Sequence, residues 1–195
     1  MYNKQWNGKD YGKDGNIIYE LNYGNGKVRE YHFNGTLKFE GEYLDGKRNG
    51  KGKEYDCDGE LIFEGEFLKG KRNGKGKEIL FNHLRFEGEY LGGKRYGKGK
   101  EYNKDDELIY EGEYLNGKRN GKGKEYFYKR LIYIGEYLNG QRNGKGKEYD
   151  DGDLIYEGEY LNGKRNGKGK EYDDGELIYE GEYLNGKRNG KGKKI

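Results

Sequence analysis

Pairs of glutamates set two residues apart are the first candidates for chemistry in this 195-residue chain. Glu40 with Glu42, and Glu157 with Glu159, supply the two carboxylates that a glycosidase uses as acid and nucleophile. The pair recurs in most units of the chain, however, whereas catalysis needs one asymmetric constellation in a pocket. In a strand both members lie on one face, and an acidic face repeated opposite lysines reads as a solvated surface. His32 and His83 have no Cys or His at ligand spacing, which argues against a metal site. Asp56-x-Asp58-Gly59 opens like a calcium loop but lacks the bidentate Glu downstream, so it reads as a turn. The repeated Gly-Lys-x-x-Gly-Lys-Gly is followed by neither a Ser or Thr nor a helix, so it is no phosphate loop. The chain has no Ser, and Cys57 is its single thiol. The expectation is no catalytic residue, no metal and no cofactor: a surface that binds and does not react.

The elements that must position such a surface follow from composition and spacing. Leu, Ile, Val and Phe together make up about 17% of the chain, below the roughly 20% floor of ordinary globular proteins. Yet there are 22 Tyr, no Pro and a net charge of only +3, which is not the composition of disorder. Self-similarity resolves the conflict. A glycine after an aromatic-acid pair recurs at Gly41, Gly65, Gly88, Gly112, Gly135, Gly158 and Gly181, in steps of 24 or 23 residues. The extra residue always falls between the second-strand Tyr and the Leu-Ile pair, as in Tyr55 to Leu61 against Tyr149 to Leu154. Length therefore varies where a turn tolerates it and not where strands would lose register. Residues 1–38 read as a degenerate N-terminal capping repeat and 39–195 as seven repeats, the last incomplete.

Each repeat reads as a β-hairpin. By the two-residue period of a strand, Leu61, Phe63, Gly65 and Phe67 share one face and Ile62, Glu64, Glu66 and Leu68 the other. A short second strand around Lys75-Gly76-Lys77-Glu78 pairs its lysines with those glutamates. Asn-Gly or Asp-Gly marks the tips at 45–46, 116–117, 139–140, 162–163 and 185–186, and Asp-Gly the inter-repeat turns at 58–59, 151–152 and 174–175. Helix is excluded by four or five Gly per repeat, each costing about 1 kcal/mol. The fold class is all-β: an elongated single-layer antiparallel meander of stacked hairpins, with Tyr and Phe stacked over Gly in place of a thick core.

Charge then divides the two ends of the hairpins. The tips carry Lys47 and Arg48, Lys71 and Arg72, Lys94 and Arg95, Lys118 and Arg119, Arg142, Lys164 and Arg165, and Lys187 and Arg188 as candidate anion-binding residues. The opposite turns carry Asp56, Asp58, Asp105, Asp106, Asp150, Asp151, Asp173 and Asp174. Two of those turns depart from the pattern with Leu80, Phe81, Phe127 and Tyr128, and Ile134 replaces the usual Glu; these are candidate partner contacts. Nucleic acid is disfavoured, because the glutamate face repels phosphate and no base-stacking module is present.

The run Tyr-Glu-Gly-Glu-Tyr-Leu-Asn-Gly-Lys-Arg-Asn-Gly-Lys-Gly-Lys over 156–170 and 179–193 resembles the MORN repeat, the membrane occupation and recognition nexus. The linking Asp-Gly-Glu-Leu-Ile-Tyr is similar to a bacterial variant found in antitoxin-like proteins of the YwqK type. The resemblance implies a ribbon of hairpins and a non-enzymatic scaffold for protein-protein interaction. Its alternatives are peripheral binding to anionic phospholipid through the basic tips, at about 1 kcal/mol per basic residue, and an antitoxin or immunity-like inhibitor. A homodimer through the C-terminal strand edge is a further expectation. No stretch reaches the ~18 apolar residues of a membrane helix, so the expected location is the cytoplasm, at the membrane periphery where lipid is the partner.

Overall fold

Alternation of apolar and charged residues over eight-residue runs produces strands throughout. The computed structural model describes residues 8–11 and 17–194. Residues 1–7 and 12–16 of the expected capping repeat, and Ile195, lie outside the described residues. No helix is present among the described residues.

The chain forms two compact units, Met1–Lys94 and Arg95–Ile195. The first holds β1 (Gly8–Tyr11), β2 (Ile17–Asn22), β3 (Asn25–Tyr31), β4 (Leu37–Leu44), β5 (Lys47–Tyr55), β6 (Leu61–Leu68), β7 (Lys71–Leu80) and β8 (His83–Leu91). The second holds β9 (Lys94–Tyr102), β10 (Leu108–Leu115), β11 (Lys118–Phe127), β12 (Arg130–Leu138), β13 (Gln141–Asp150), β14 (Asp153–Leu161), β15 (Lys164–Asp173), β16 (Glu176–Leu184) and β17 (Lys187–Lys194). Within each unit every strand pairs antiparallel with the next, a meander of hairpins as the repeat predicts.

The second strand of each hairpin is longer than its lysine-rich centre suggests. β7 begins at Lys71, directly after the tip glycine, and runs ten residues. Its register explains the difference: Gly65 faces Gly76, but Phe67 faces Arg72, so Asn73-Gly74-Lys75 oppose Glu66 alone. This bulge absorbs two residues. It restores Arg72 to the face of Phe63 and Phe67, a placement that simple counting from the tip misses.

The core is one layer of rings seated on glycine. Phe63, Tyr110, Tyr133 and Tyr156 are fully buried. Phe63, Tyr110, Tyr133 and Tyr156 each pack edge-on between two other rings: Tyr133 lies 5.5 Å from Tyr137 in its own repeat and 5.2 Å from Tyr160 in the next. Such pairs contribute about 0.5–1.5 kcal/mol each beyond their burial. The floor is a pair of facing glycines. A Cβ on Gly123 would stand 2.6 Å from Tyr110 Cζ, and one on Gly112 would stand 2.7 Å from Gly123 Cα. The tips are type I′ turns, with φ of 52° at Asn116 and 85° at Gly117. Each tip glycine also donates its N–H to a carbonyl one repeat back, as Gly117 does to Arg95 at 2.9 Å.

Candidate functional site

The aromatic face carries a roof of ion pairs that the sequence pattern alone did not place. In the first unit Arg48 lies 2.7 Å from both Glu30 and Glu54, and Arg72 lies 2.6 Å from Glu54 and 3.7 Å from Glu78. In the second unit Arg119, Arg142 and Arg165 each bridge the glutamate of their own repeat, at 3.0–3.2 Å, and that of the repeat before, Glu101, Glu125 and Glu148. Arg188 continues the series onto Glu171. The guanidinium carbons of Arg119 and Arg142 stand 4.1 Å above the rings of Tyr110 and Tyr133, a cation-π geometry. Partial burial opposes the charge of Arg119, but the hydrogen bond and Coulomb attraction of Glu101 outweigh it and raise its pKa above the ordinary range.

This roof engages seven of the candidate anion-binding residues. Arg48, Arg72, Arg95, Arg119, Arg142, Arg165 and Arg188 are all paired with glutamates on the aromatic face. The lysines of the same clusters behave differently. Lys47, Lys71, Lys94, Lys118, Lys164 and Lys187 are exposed at the tips, and no ion pair joins them to a carboxylate among the described residues. Gln141 takes the lysine position in one repeat. Beside each tip stands a leucine that ends the first strand: Leu115, Leu138, Leu161 and Leu184 in the second unit are 45–52% exposed, and Leu44, Leu68 and Leu91 in the first are similarly open.

The opposite face is the lysine-glutamate ladder expected from the pattern. Glu64 faces Lys53 on one side and Lys77 on the other, and Lys147 and Glu157 approach to 3.1 Å. Tyr126 and Tyr172 donate their hydroxyls to Glu111 and Glu157 at 2.9 and 2.8 Å. Those bonds, ahead of the neighbouring lysines, hold both carboxylates below their ordinary pKa. In the repeat where Ile134 replaces the first glutamate, Glu136 folds over the bulge and accepts the Lys145 N–H at 3.3 Å. The paired glutamates that resemble a glycosidase dyad are thus occupied with tyrosine hydroxyls, lysines and backbone.

At the inter-repeat edge the departures from pattern form tight turns. Phe81 and Asn82 have φ of 51° and 61°, and Tyr128 and Lys129 have 47° and 66°. Leu80, Phe81, Phe127 and Tyr128 are exposed, Phe81 at 77%. Phe127 and Tyr128 stack 4.4 Å apart. Lys129 pairs with Glu107 at 3.6 Å and Arg130 with Asp151. Ile134 is not part of this edge: it sits mid-strand on β12 between Lys124 and Lys147. Of the residues considered for chemistry, Asp56 braces its turn by accepting the N–H groups of Asp58 and Glu60 at 3.0 and 2.9 Å. His32 Nε2 bonds the Tyr55 carbonyl at 3.0 Å, and Cys57 is exposed. Among the described residues no group of three His, Cys, Asp or Glu is placed to hold a metal ion.

The family model of the MORN repeat matches residues 39–60, 63–85, 86–106, 110–130, 133–154, 156–176 and 179–195. The chain therefore belongs to the MORN repeat family, whose repeats are non-catalytic modules of protein and membrane interaction. A search of curated proteins returned no match.

Proposed function

We propose that this MORN-repeat chain is a non-enzymatic scaffold for protein-protein contact, and that the contact runs along the lysine-and-leucine edge of its hairpins. One observation supports this reading: a half-exposed leucine beside an exposed lysine recurs at the same place in successive repeats. The rings of the aromatic face are covered by one another and its arginines are paired with glutamates. The leucines are not so covered, and covering one half-exposed leucine gains about 1 kcal/mol. A partner must therefore span several repeats to bind well. The test is capture of proteins from the native host on the full chain and on a variant with Leu115, Leu138, Leu161 and Leu184 changed to Ser. A partner kept by the wild type and lost by the variant supports the reading; equal retention on both refutes it.

A second reading takes the same lysines to anionic phospholipid, with the leucines entering the headgroup region. It is favoured by ammonium groups that no carboxylate neutralises among the described residues. Sedimentation with anionic vesicles at low and high salt tests it, and absence of binding at low salt rejects it.

A further inference from the structure

We propose that two copies of this chain dock side by side and in register, the lysine tips of one meeting the acidic inter-repeat turns of the next. The proposal rests on a correspondence of charge along the two edges. In the second unit the tips present Lys118, Gln141, Lys164 and Lys187 in order. The turns across the same first strands present Lys104-Asp105-Asp106, Phe127-Tyr128-Lys129-Arg130, Asp150-Asp151-Gly152-Asp153 and Asp173-Asp174-Gly175-Glu176. The one tip without lysine thus lies across β12 from the one turn without a carboxylate. Because Lys129 and Arg130 are paired with Glu107 and Asp151, that turn presents its exposed Phe127 and Tyr128 rings, and its opposite tip presents Leu138 beside neutral Gln141.

The first unit carries the correspondence independently at two of its three positions. The uncharged His32–Thr36 turn lies across β4 from the tip where Asp45 balances Lys47. The turn with Asp56, Asp58 and Glu60 lies across β6 from Lys69 and Lys71, the tip with two lysines. The Phe81-Asn82 turn, which has no carboxylate, lies across β8 from Lys94, so at this one position the two edges do not match.

No contact within one copy accounts for this. A tip and its corresponding turn are at opposite ends of a strand, about 26 Å apart for eight residues. Between copies the match is direct. Within the second unit both edges share one repeat, about 9.6 Å for two strands, so a second copy shifted along the strand direction sets the tips of that unit toward their own turns. The glycines at the tips keep them narrow, and the turn carboxylates of 150–153 and 173–176 are exposed. Each copy joined this way still offers one free edge of each sign. The contact is therefore heterologous and open-ended, a growing lateral array and not a closed dimer. It concerns self-association alone, so its failure would leave the reading of a scaffold for other proteins standing.

The experiment is sedimentation of the full chain over a concentration series at about 10 mM and about 1 M salt, where the screening length falls from roughly 30 to 3 Å. At low salt the average mass climbs with concentration beyond a dimer; at high salt it returns to that of one chain. Lys164→Glu with Lys187→Glu abolishes the growth. Asp150→Lys, Asp153→Lys, Asp173→Lys and Asp174→Lys together do the same, and mixing the two variants restores it. Zero-length carbodiimide coupling of a mixture of isotopically light and heavy chains gives light-heavy links from Lys164 to 150–153 and from Lys187 to 173–176. A single-chain mass at low salt, growth that the variants do not change, or links out of register overturn the proposal. Circular dichroism of each variant shows the strand signal retained, so loss of growth is read as loss of the contact.

Discussion

Replacing Gly123 by Ala tests whether the ring-on-glycine floor is what holds each repeat together. The added Cβ would lie 2.6 and 2.7 Å from Cζ and Cε2 of Tyr110, against the ~3.5–4.0 Å of ordinary carbon contact. Something must move by close to 1 Å. Tyr110 cannot withdraw, because Arg119 lies 4.1 Å above it, and Tyr114 and Tyr137 hold it edge-on at 5.5 and 5.2 Å. Overpacking of this kind costs about 1–3 kcal/mol, and loosening two aromatic contacts adds about 0.5–1.5 kcal/mol each. The expected loss is about 2–6 kcal/mol, read from the urea midpoint by circular dichroism in the strand band. Strand propensity alone predicts the opposite sign, since Ala is favoured over Gly by about 0.5–1 kcal/mol in a strand interior. Tyr110→Leu removes the colliding ring, so in that background the same substitution costs at least about 1 kcal/mol less. Gly117→Ala is the control. It has nothing within 4 Å and a φ of 85°, so it carries only the left-handed strain of about 1–2 kcal/mol and no coupling to Tyr110. A neutral or stabilising Gly123→Ala, or costs that add with Tyr110→Leu, refutes the argument.

Three further outcomes follow from the same geometry. Phe81→Asn with Asn82→Gly converts a left-handed Phe-Asn turn into Asn-Gly and raises stability by about 1–2 kcal/mol in urea; a loss shows that the aromatic turn is stabilised by contacts beyond its strain. Burial first, and then a neighbouring Glu, pushes Tyr43, Tyr55, Tyr126 and Tyr172 up to about 12. The native state holds protons that the unfolded chain releases near pH 10, so the contribution of these tyrosines is fully present below about pH 10 and is lost between about 10 and 12. Absorbance at the tyrosinate band shows these groups lagging the exposed ones, and uniform titration near 10 with the fold intact contradicts it. At low pH the sign reverses. Tyrosine hydrogen bonds lower the Glu111 and Glu157 pKa; for Glu30 the Arg48 and Tyr43 bonds overcome an opposing burial. The stability they confer is present above the ordinary value of 4.5 and lost as pH falls through the lower native values, which a urea midpoint flat from neutral pH to about 5 and falling below it confirms.

Much of the fold was legible because the signals are local. The seven glycines, the alternation around Phe63 and the tip dipeptides each fix a strand or turn without reference to distant residues. The extra residue between Tyr55 and Leu61 is taken up in the turn at 56–60, whereas Asp150 to Asp153 closes as a two-residue turn. What was not legible is the side on which the arginines fall. Counting from the tip puts Lys71 and Arg72 together as one cationic cluster, but the bulge at Asn73-Gly74 lets the strand begin immediately after the tip, with Arg72 opposite Phe67. The signal was present as Arg and Glu six residues apart, Arg72 with Glu78 and Arg119 with Glu125. It becomes an ion pair only once those intervening residues are known to bend. Composition groups Ile134 with the exposed turn, although its position relative to Gly135 already places it mid-strand.

The arginine-glutamate roof also explains how the aromatic face of each unit can do without a second layer. A sheet with one apolar face must cover it, ordinarily with a helix or another sheet. Here Tyr110, Tyr133 and Tyr156 are each covered from above by a guanidinium whose charge is itself held by two glutamates. Because those glutamates belong to successive repeats, Glu125 binding both Arg119 and Arg142, the cover joins each hairpin to its neighbours as well as closing it. An exposed lysine in place of Arg142 would keep the charge but lose the planar fork that binds two carboxylates while lying flat on Tyr133. That division of labour accounts for the pattern at the tips, the Gln141 tip apart: arginine turned inward to complete the fold, lysine left outward beside a leucine.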